Sequence, residues 1–147
     1  MRDLEKVREW IKTYTGSAAI ADYHVDLLDQ IPYQNSIAPA GLVEISRRED
    51  LIGNVTVENQ YNFGLYYAFP KDPQDDTCAT ENAAWLMDFQ KWVQEQSARG
   101  LTPKFGDIPK TERMSAQNGT IYGTDEEGTA VYVVQLSAKF TKVYEVN

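Results

Sequence analysis

The sequence predicts an α+β domain, a mostly antiparallel β-sheet with two amphipathic helices packed on one face in a two-layer arrangement. Three observations carry this. VTVENQYNFGLYYAF (residues 55–69) and TAVYVVQLSAKFTKVYEV (129–146) alternate apolar and polar positions over lengths that strands sustain. LEKVREWI near the start and ENAAWLMDFQKWV in the middle repeat apolar residues every three or four positions, as a one-sided helix must. The 147 residues contain no internal repeat, low-complexity tract or linker, so residues 1–147 read as a single domain.

The elements follow in order. Over residues 3–14, Leu4, Val7, Ile11 and Tyr14 share one helix face, with Gly16 as the stop. AIADYHVDLL alternates and predicts a strand, after which Pro32 and Pro39 mark a loop reaching residue 41. GLVEISRRED reads as a shorter strand. In 55–69 the odd positions are apolar or aromatic except Asn59, which predicts one long bent strand or two strands with a bulge near it. PKDPQDDT is a loop whose aspartates favour the positive end of the helix that follows. That helix is expected over about 78–99, with Thr77 or Thr80 as N-cap and Gly100 as the stop.

On a helical wheel Trp85, Leu86, Phe89, Trp92 and Val93 fill an arc of about 120°, with Asp88, Lys91, Gln94 and Glu95 outside it and Met87 the apolar exception. The aromatic stripe therefore reads as core before it reads as a site. Residues 100–117 are too irregular for an element and longer than an ordinary connection, which suggests a contact arm. NGTIYGT, the turn DEEG and TAVYVVQLSAKFTKVYEV make a final hairpin, with apolar residues at even positions 130–140, 144 and 146.

Charge and composition exclude some functions. With 14 Lys and Arg against 22 Asp and Glu, a net charge of −8 and a pI near 4.6, the chain is ill suited to holding nucleic-acid phosphates or anionic lipid. The start lacks an apolar leader and no window is long and apolar enough to span a bilayer, so a soluble cytoplasmic protein is expected. One cysteine, Cys78, allows neither an internal disulfide nor a Cys-based metal site.

Candidates for chemistry are few. Gly119 and Gly123 fall in the hairpin, not in a phosphate loop between strand and helix. His24 is the only histidine; with Cys78 it would make a thiol–base pair, but the two read more simply as a solvated strand residue and a small residue at a helix start. Asp22, His24 and Asp26 alternate onto one strand face, where they are either metal ligands lacking a fourth partner or the solvent side of the strand; the second is the simpler reading. Asp72, Asp75 and Asp76 lack the spacing of a calcium loop and suit a helix start. The expectation is a non-enzymatic protein with no cofactor and no metal.

The layout resembles the tail terminator, or tail-completion, proteins of long-tailed bacteriophages and prophages, sometimes labelled minor capsid proteins. The resemblance rests on LEKVREWI, the aromatic strand YNFGLYYAF, the helix ENAAWLMDFQKWV ending in ARG, and the hairpin GTIYGTDEEGTAVYVVQLSAKFTKVYE, and it spans nearly the whole chain. It implies an α+β subunit that assembles into a ring with its own copies, commonly a hexamer, on the end of the tail tube. There the ring stops tail polymerisation and helps join the head through tube and head-connector proteins. It also implies a virion component assembled in the bacterial cytoplasm, with DNA passing through the ring unbound. No catalytic residue is implied. The long loops supply candidate interface residues on physical grounds: Tyr33 and Ile37 in one, and Lys104, Phe105, Ile108, Lys110 and Arg113 in the other. Exposed strand edges could also pair between subunits.

Two other readings compete. In a small cone-shaped α+β pocket protein, Tyr61, Phe63, Tyr66, Tyr67 and Phe69 would line a ligand or substrate cavity. A cytoplasmic adaptor is the third.

Overall fold

A computed structural model of the chain describes residues 1–14, 24–25, 35–70, 76–108, 110–124 and 129–146. The elements are α1 (Asp3–Ile11), β1 (His24–Val25), β2 (Asn35–Glu49), β3 (Val55–Pro70), α2 (Asp76–Ala98), β4 (Arg113–Thr124) and β5 (Thr129–Tyr144). The strands lie in the order β1-β2-β3-β5-β4. All pairings are antiparallel except the two residues of β1, which run parallel to Ser36 and Ile37 of β2. Both helices cover one face, giving the predicted two-layer α+β fold.

The centre of the sheet is where the sequence pattern is strongest. β3 and β5 pair without a break from Val55↔Tyr144 to Pro70↔Thr129. Because side chains alternate, this register puts Val57, Phe63, Leu65, Tyr67 and Phe69 on the same face as Tyr132, Val134, Leu136, Ala138 and Phe140, all of them buried. Asn59 lies on that inward face too and is itself buried. It does not break β3; the register shift sits opposite, in β2, between Glu44 (the partner of Asn59) and Ser46. Tyr144 and Val146 run past the helix layer and are exposed.

The helices supply the other half of the core. Val7 and Ile11 of α1 and Leu86, Phe89 and Val93 of α2 join the strand residues in one apolar cluster, with Leu4, Tyr14, Trp85 and Trp92 partly buried against it. Trp10, outside the predicted stripe of α1, tilts against Trp92 at 4.8 Å, and Tyr67 meets Trp85 edge-on at 4.7 Å. Met87 points outward, as the wheel requires. α2 ends where Gly100, at φ +74°, lets the chain turn back. Leu101 N–H donates to Gln96 O and Gly100 N–H to Ser97 O, a Schellman cap.

Four boundaries differ from the sequence reading. α1 ends at Ile11, and Thr13 and Tyr14 continue as a tight turn through hydrogen bonds to Trp10 O and Ile11 O; Gly16 lies outside the described residues. Thr77 and Thr80 fall inside α2, which starts at Asp76, so neither is its N-cap. β2 starts at Asn35, so the second half of the expected loop at 29–41 is strand. Pro39 is tolerated because that stretch of β2 has no partner on its outer side among the described residues, and the register shift between Pro39 and Leu42 accommodates Gly41 at φ +97°. β4 starts at Arg113, five residues before the expected hairpin strand, with a shift at Asn118, φ +59°. Of the strand expected at 19–28 only His24 and Val25 are described, and the turn at 125–128 lies outside the described residues.

Candidate interaction site

Residues 101–112, the greater part of the segment 100–117 expected as a contact arm, divide into a pinned part and a projecting part. In the pinned part Lys6 Nζ donates to Lys104 O (2.7 Å) and Trp10 Nε1 to Leu101 O (2.8 Å), so α1 straps the segment down. Phe105 packs between Tyr61 and Phe140, with centroids 5.7 and 5.5 Å away. Asp107 N–H then donates to Thr141 O (2.8 Å), and Val143 N–H returns a bond to Asp107 Oδ2 (2.8 Å), extending the β5 edge beyond the start of β4. The Val143 N–H holds the Asp107 carboxyl below its ordinary value, with Lys142 adding to the effect.

Ile108, Lys110, Thr111 and Glu112 lie past this anchor, ahead of the start of β4 at Arg113. Lys110 sits at φ +68°, unusual for a residue with a side chain, and Thr111 Oγ1 donates to Ile108 O (2.7 Å). The excursion forms one wall of a cleft of about 1000 Å³ between the C-terminal half of α2 and the start of β4. Ser97 Oγ accepts from Met114 N–H (3.0 Å) and Gln90 Nε2 donates to Ala116 O (3.1 Å). The helix thus satisfies backbone groups along β4 that a bare edge strand would leave to solvent.

The cleft's charge runs opposite to that of the chain. Its lining holds Lys91, Arg99, Lys110 and Arg113 but one carboxylate, Glu112, in a protein of net charge −8. Arg99 pairs with Glu95 at 2.7 Å, whereas Lys91, Lys110 and Arg113 make no ion pair among the described residues. The Glu112 side chain is only 2% exposed, Lys104 Nζ is 4.0 Å from its Oε2, and that oxygen accepts no hydrogen bond. A buried acceptor left open is costly enough to single the group out.

The opposite edge of the sheet is open over most of its length among the described residues. Beyond Ile37, β2 has no outer partner among the described residues, and Pro39 to Glu49 are all exposed. Leu42, Val43 and Ile45 are exposed apolar residues on this strand, and at the β2–β3 turn Leu51 is 107% and Ile52 76% exposed. Glu44 and Arg47 form an ion pair along the strand (2.8 Å). Charges and proline on such an edge restrain indiscriminate strand pairing.

Not all of the sequence-predicted interface residues lie on the surface. Ile37 and Phe105 are core residues, 0% and 7% exposed. Each follows a polar or irregular stretch that made it look like part of a loop, yet the sheet buries Ile37 opposite Leu65 and the α1 strap buries Phe105. Lys104, Ile108, Lys110 and Arg113 are exposed, and Lys110 and Arg113 line the cleft. Tyr33 lies outside the described residues, as do Asp22, Asp26, Asp72 and Asp75. Sequence reasoning missed Lys91, Arg99 and Glu112 as cleft residues, and the Leu51–Ile52 pair. Two adjacent aliphatics inside a turn framed by Asp50 and Gly53 were a visible signal.

The aromatic strand fills space that a ligand pocket would need. Tyr67 is fully buried, and Phe63 and Phe69 are nearly so. Tyr66 turns to the other face, with its ring against Gly64. Around it Gln60, Asn62 and Ser137 hydrogen-bond one another across the strands, a neutral polar surface.

Tyr61 links the layers, its hydroxyl donating to Asp3 Oδ2 at 2.6 Å. Burial first, then the hydrogen bond and charge of Asp3 and the charge of Tyr144, push its pKa up to about 12. The folded value exceeds the ordinary tyrosine value of 10.0, so this contribution to stability is complete below pH 10 and disappears as pH rises through about 12. Tyr61→Phe should abolish that alkaline loss and cost about 1 kcal/mol at neutral pH. Urea melts of both proteins at pH 7 and across the alkaline range would read the two effects.

Among the described residues no helix is long and apolar enough to cross a membrane. No family of known proteins matches the chain, and no curated protein does either.

Proposed function

We propose that the chain is a non-enzymatic structural subunit of a long-tailed phage or prophage, a tail terminator or completion protein that forms a homo-oligomeric ring, hexameric in this reading, at the end of the tail tube. The observation that carries the assembly half of the reading is the β2 edge, exposed from Pro39 to Ile52 and bearing five exposed large aliphatics. Monomers seldom leave a long strand edge and adjacent apolar residues uncovered. The phage half rests on the resemblance in element order, from LEKVREWI to the final hairpin.

In this reading the ring meets tube protein on one side and head-connector protein on the other, within a virion assembled in the bacterial cytoplasm. DNA passes through the ring without being held, which suits a chain of net charge −8. No cofactor takes part. The packed aromatic interior favours a structural role over the pocket reading.

Light scattering on the native protein across a concentration series tests the assembly. A hexamer, or a mass rising toward one with concentration, is expected. A constant monomer mass would remove the ring reading.

A further inference from the structure

We infer that neighbouring subunits are joined by the β2–β3 turn of one copy seated in the α2–β4 cleft of the next, an inference that rests on the ring reading above. Each partner surface is already formed in the single chain.

The turn at 50–54 is built to hold its shape. Asp50 Oδ1 accepts from Ile52 N–H (3.0 Å) and Asn54 N–H (2.9 Å), while Gly53 N–H donates to Asp50 O (3.2 Å). From the end of β5, Val146 N–H donates to Asn54 Oδ1 (3.0 Å), and the Val146 side chain lies against Gly53. This scaffold fixes Leu51 and Ile52 in solvent. A preorganised turn loses little conformational freedom on docking, so its apolar side chains serve as anchors. Glu49 and Asp50 place carboxylates directly beside them.

The cleft is the complement. Ala98, Met114 and Ala116 give it an apolar element, and the unpaired Lys91, Lys110 and Arg113 set cations at its rim. Two copies of a −8 protein repel each other in most orientations. Apposing Glu49 and Asp50 with the rim cations selects one of the few that attract.

Topology keeps the two surfaces apart in one copy. β2 lies toward one edge of the sheet and β4 forms the other, with β3 and β5 between them. A subunit can therefore use its turn on one neighbour and its cleft on another. Such a contact is heterologous and generates a closed ring when the rotation per subunit closes.

Two surface variants test this by sedimentation: Leu51→Asp with Ile52→Asp, which spoils the turn, and Lys110→Glu with Arg113→Glu, which spoils the cleft. All four positions are exposed, so circular dichroism and melting should match the wild type. Each variant alone should be monomeric, with association weakened by about 100-fold or more. Mixed together they should form a dimer and nothing larger, because one intact cleft meets one intact turn. A folded turn variant that still forms rings, or a mixture that stays monomeric, overturns the inference while wild-type rings leave the assembly reading standing. A wild type that is monomeric throughout removes the assembly reading and this contact with it.

Discussion

Phe89→Ala should destabilise the protein by about 3 to 5 kcal/mol, visible as a lower urea midpoint with an unchanged slope. Phe89 is completely buried and stands at the middle of the aromatic layer. It stacks on Trp85 at 5.7 Å and on Trp92 at 6.0 Å, and meets Tyr14 and Tyr67 edge-on at 5.5 and 6.0 Å. Truncation removes the apolar transfer term and leaves a hole whose walls, held by α2 on one side and β3 on the other, cannot collapse far. The flanking tryptophans are only partly buried. Trp92→Ala should therefore cost less than Phe89→Ala, although tryptophan is the larger side chain; the reverse order would show that the layer is packed differently.

Gly106→Ala should be nearly as damaging, at about 3 kcal/mol, the upper end of ordinary overpacking. The reason is close approach rather than backbone conformation. A Cβ at position 106 would collide with the carbonyl oxygen of Thr141 and lie 3.0 Å from its nitrogen. A flexible side chain could give way, but the β5 backbone cannot move without disturbing its pairing with β3. Relief would come by lifting residues 106–107, which breaks the bonds from Asp107 N–H to Thr141 O and from Val143 N–H to Asp107 Oδ2. The variant should thus also lose Asp107's depressed pKa. In the wild type that contribution is complete above the ordinary carboxylate value of 3.8 and declines as pH falls through the lower folded value. Comparing the acid limbs of the two stability curves would separate this loss from simple crowding.

How far the sequence reveals the fold depends on burial. β3 and β5 were readable almost residue by residue because each has one face in the core, and burial is what writes alternation into a strand. α2 was readable for the same reason, with its stripe of Trp85, Phe89 and Trp92. β2 was not. From Pro39 to Glu49 neither of its faces is covered, so LVEISRRE carries no period, and pairing with β3 is what holds it extended. β4 was shortened in the reading because Ser115 and Ala116 are small and the irregularity at Asn118 interrupts the alternation.

The candidate site was visible only in fragments. Lys104, Ile108, Lys110 and Arg113 stand out as exposed residues of a long irregular segment. Their company with Lys91 and Arg99 depends on how the end of α2 lies along β4, a tertiary relation no local pattern records. Ile37 and Phe105 show the converse error. An apolar residue in an apparent loop can be a contact for a partner or for the core, and only the surrounding fold decides which.

The unbroken β3–β5 ladder also constrains the order in which the domain folds. It joins residue 55 to residue 144 and residue 70 to residue 129, so the two central strands are far apart in the chain. The β2–β3 hairpin can close early over a short turn, but its inward aromatic residues have no sheet neighbour on the β5 side until the final strand arrives. During synthesis β5 is the last of the seven described elements to leave the ribosome. Until then the nascent chain presents Tyr61, Phe63, Leu65, Tyr67 and Phe69 along an open strand, the stage at which chaperone capture or misassociation competes with folding.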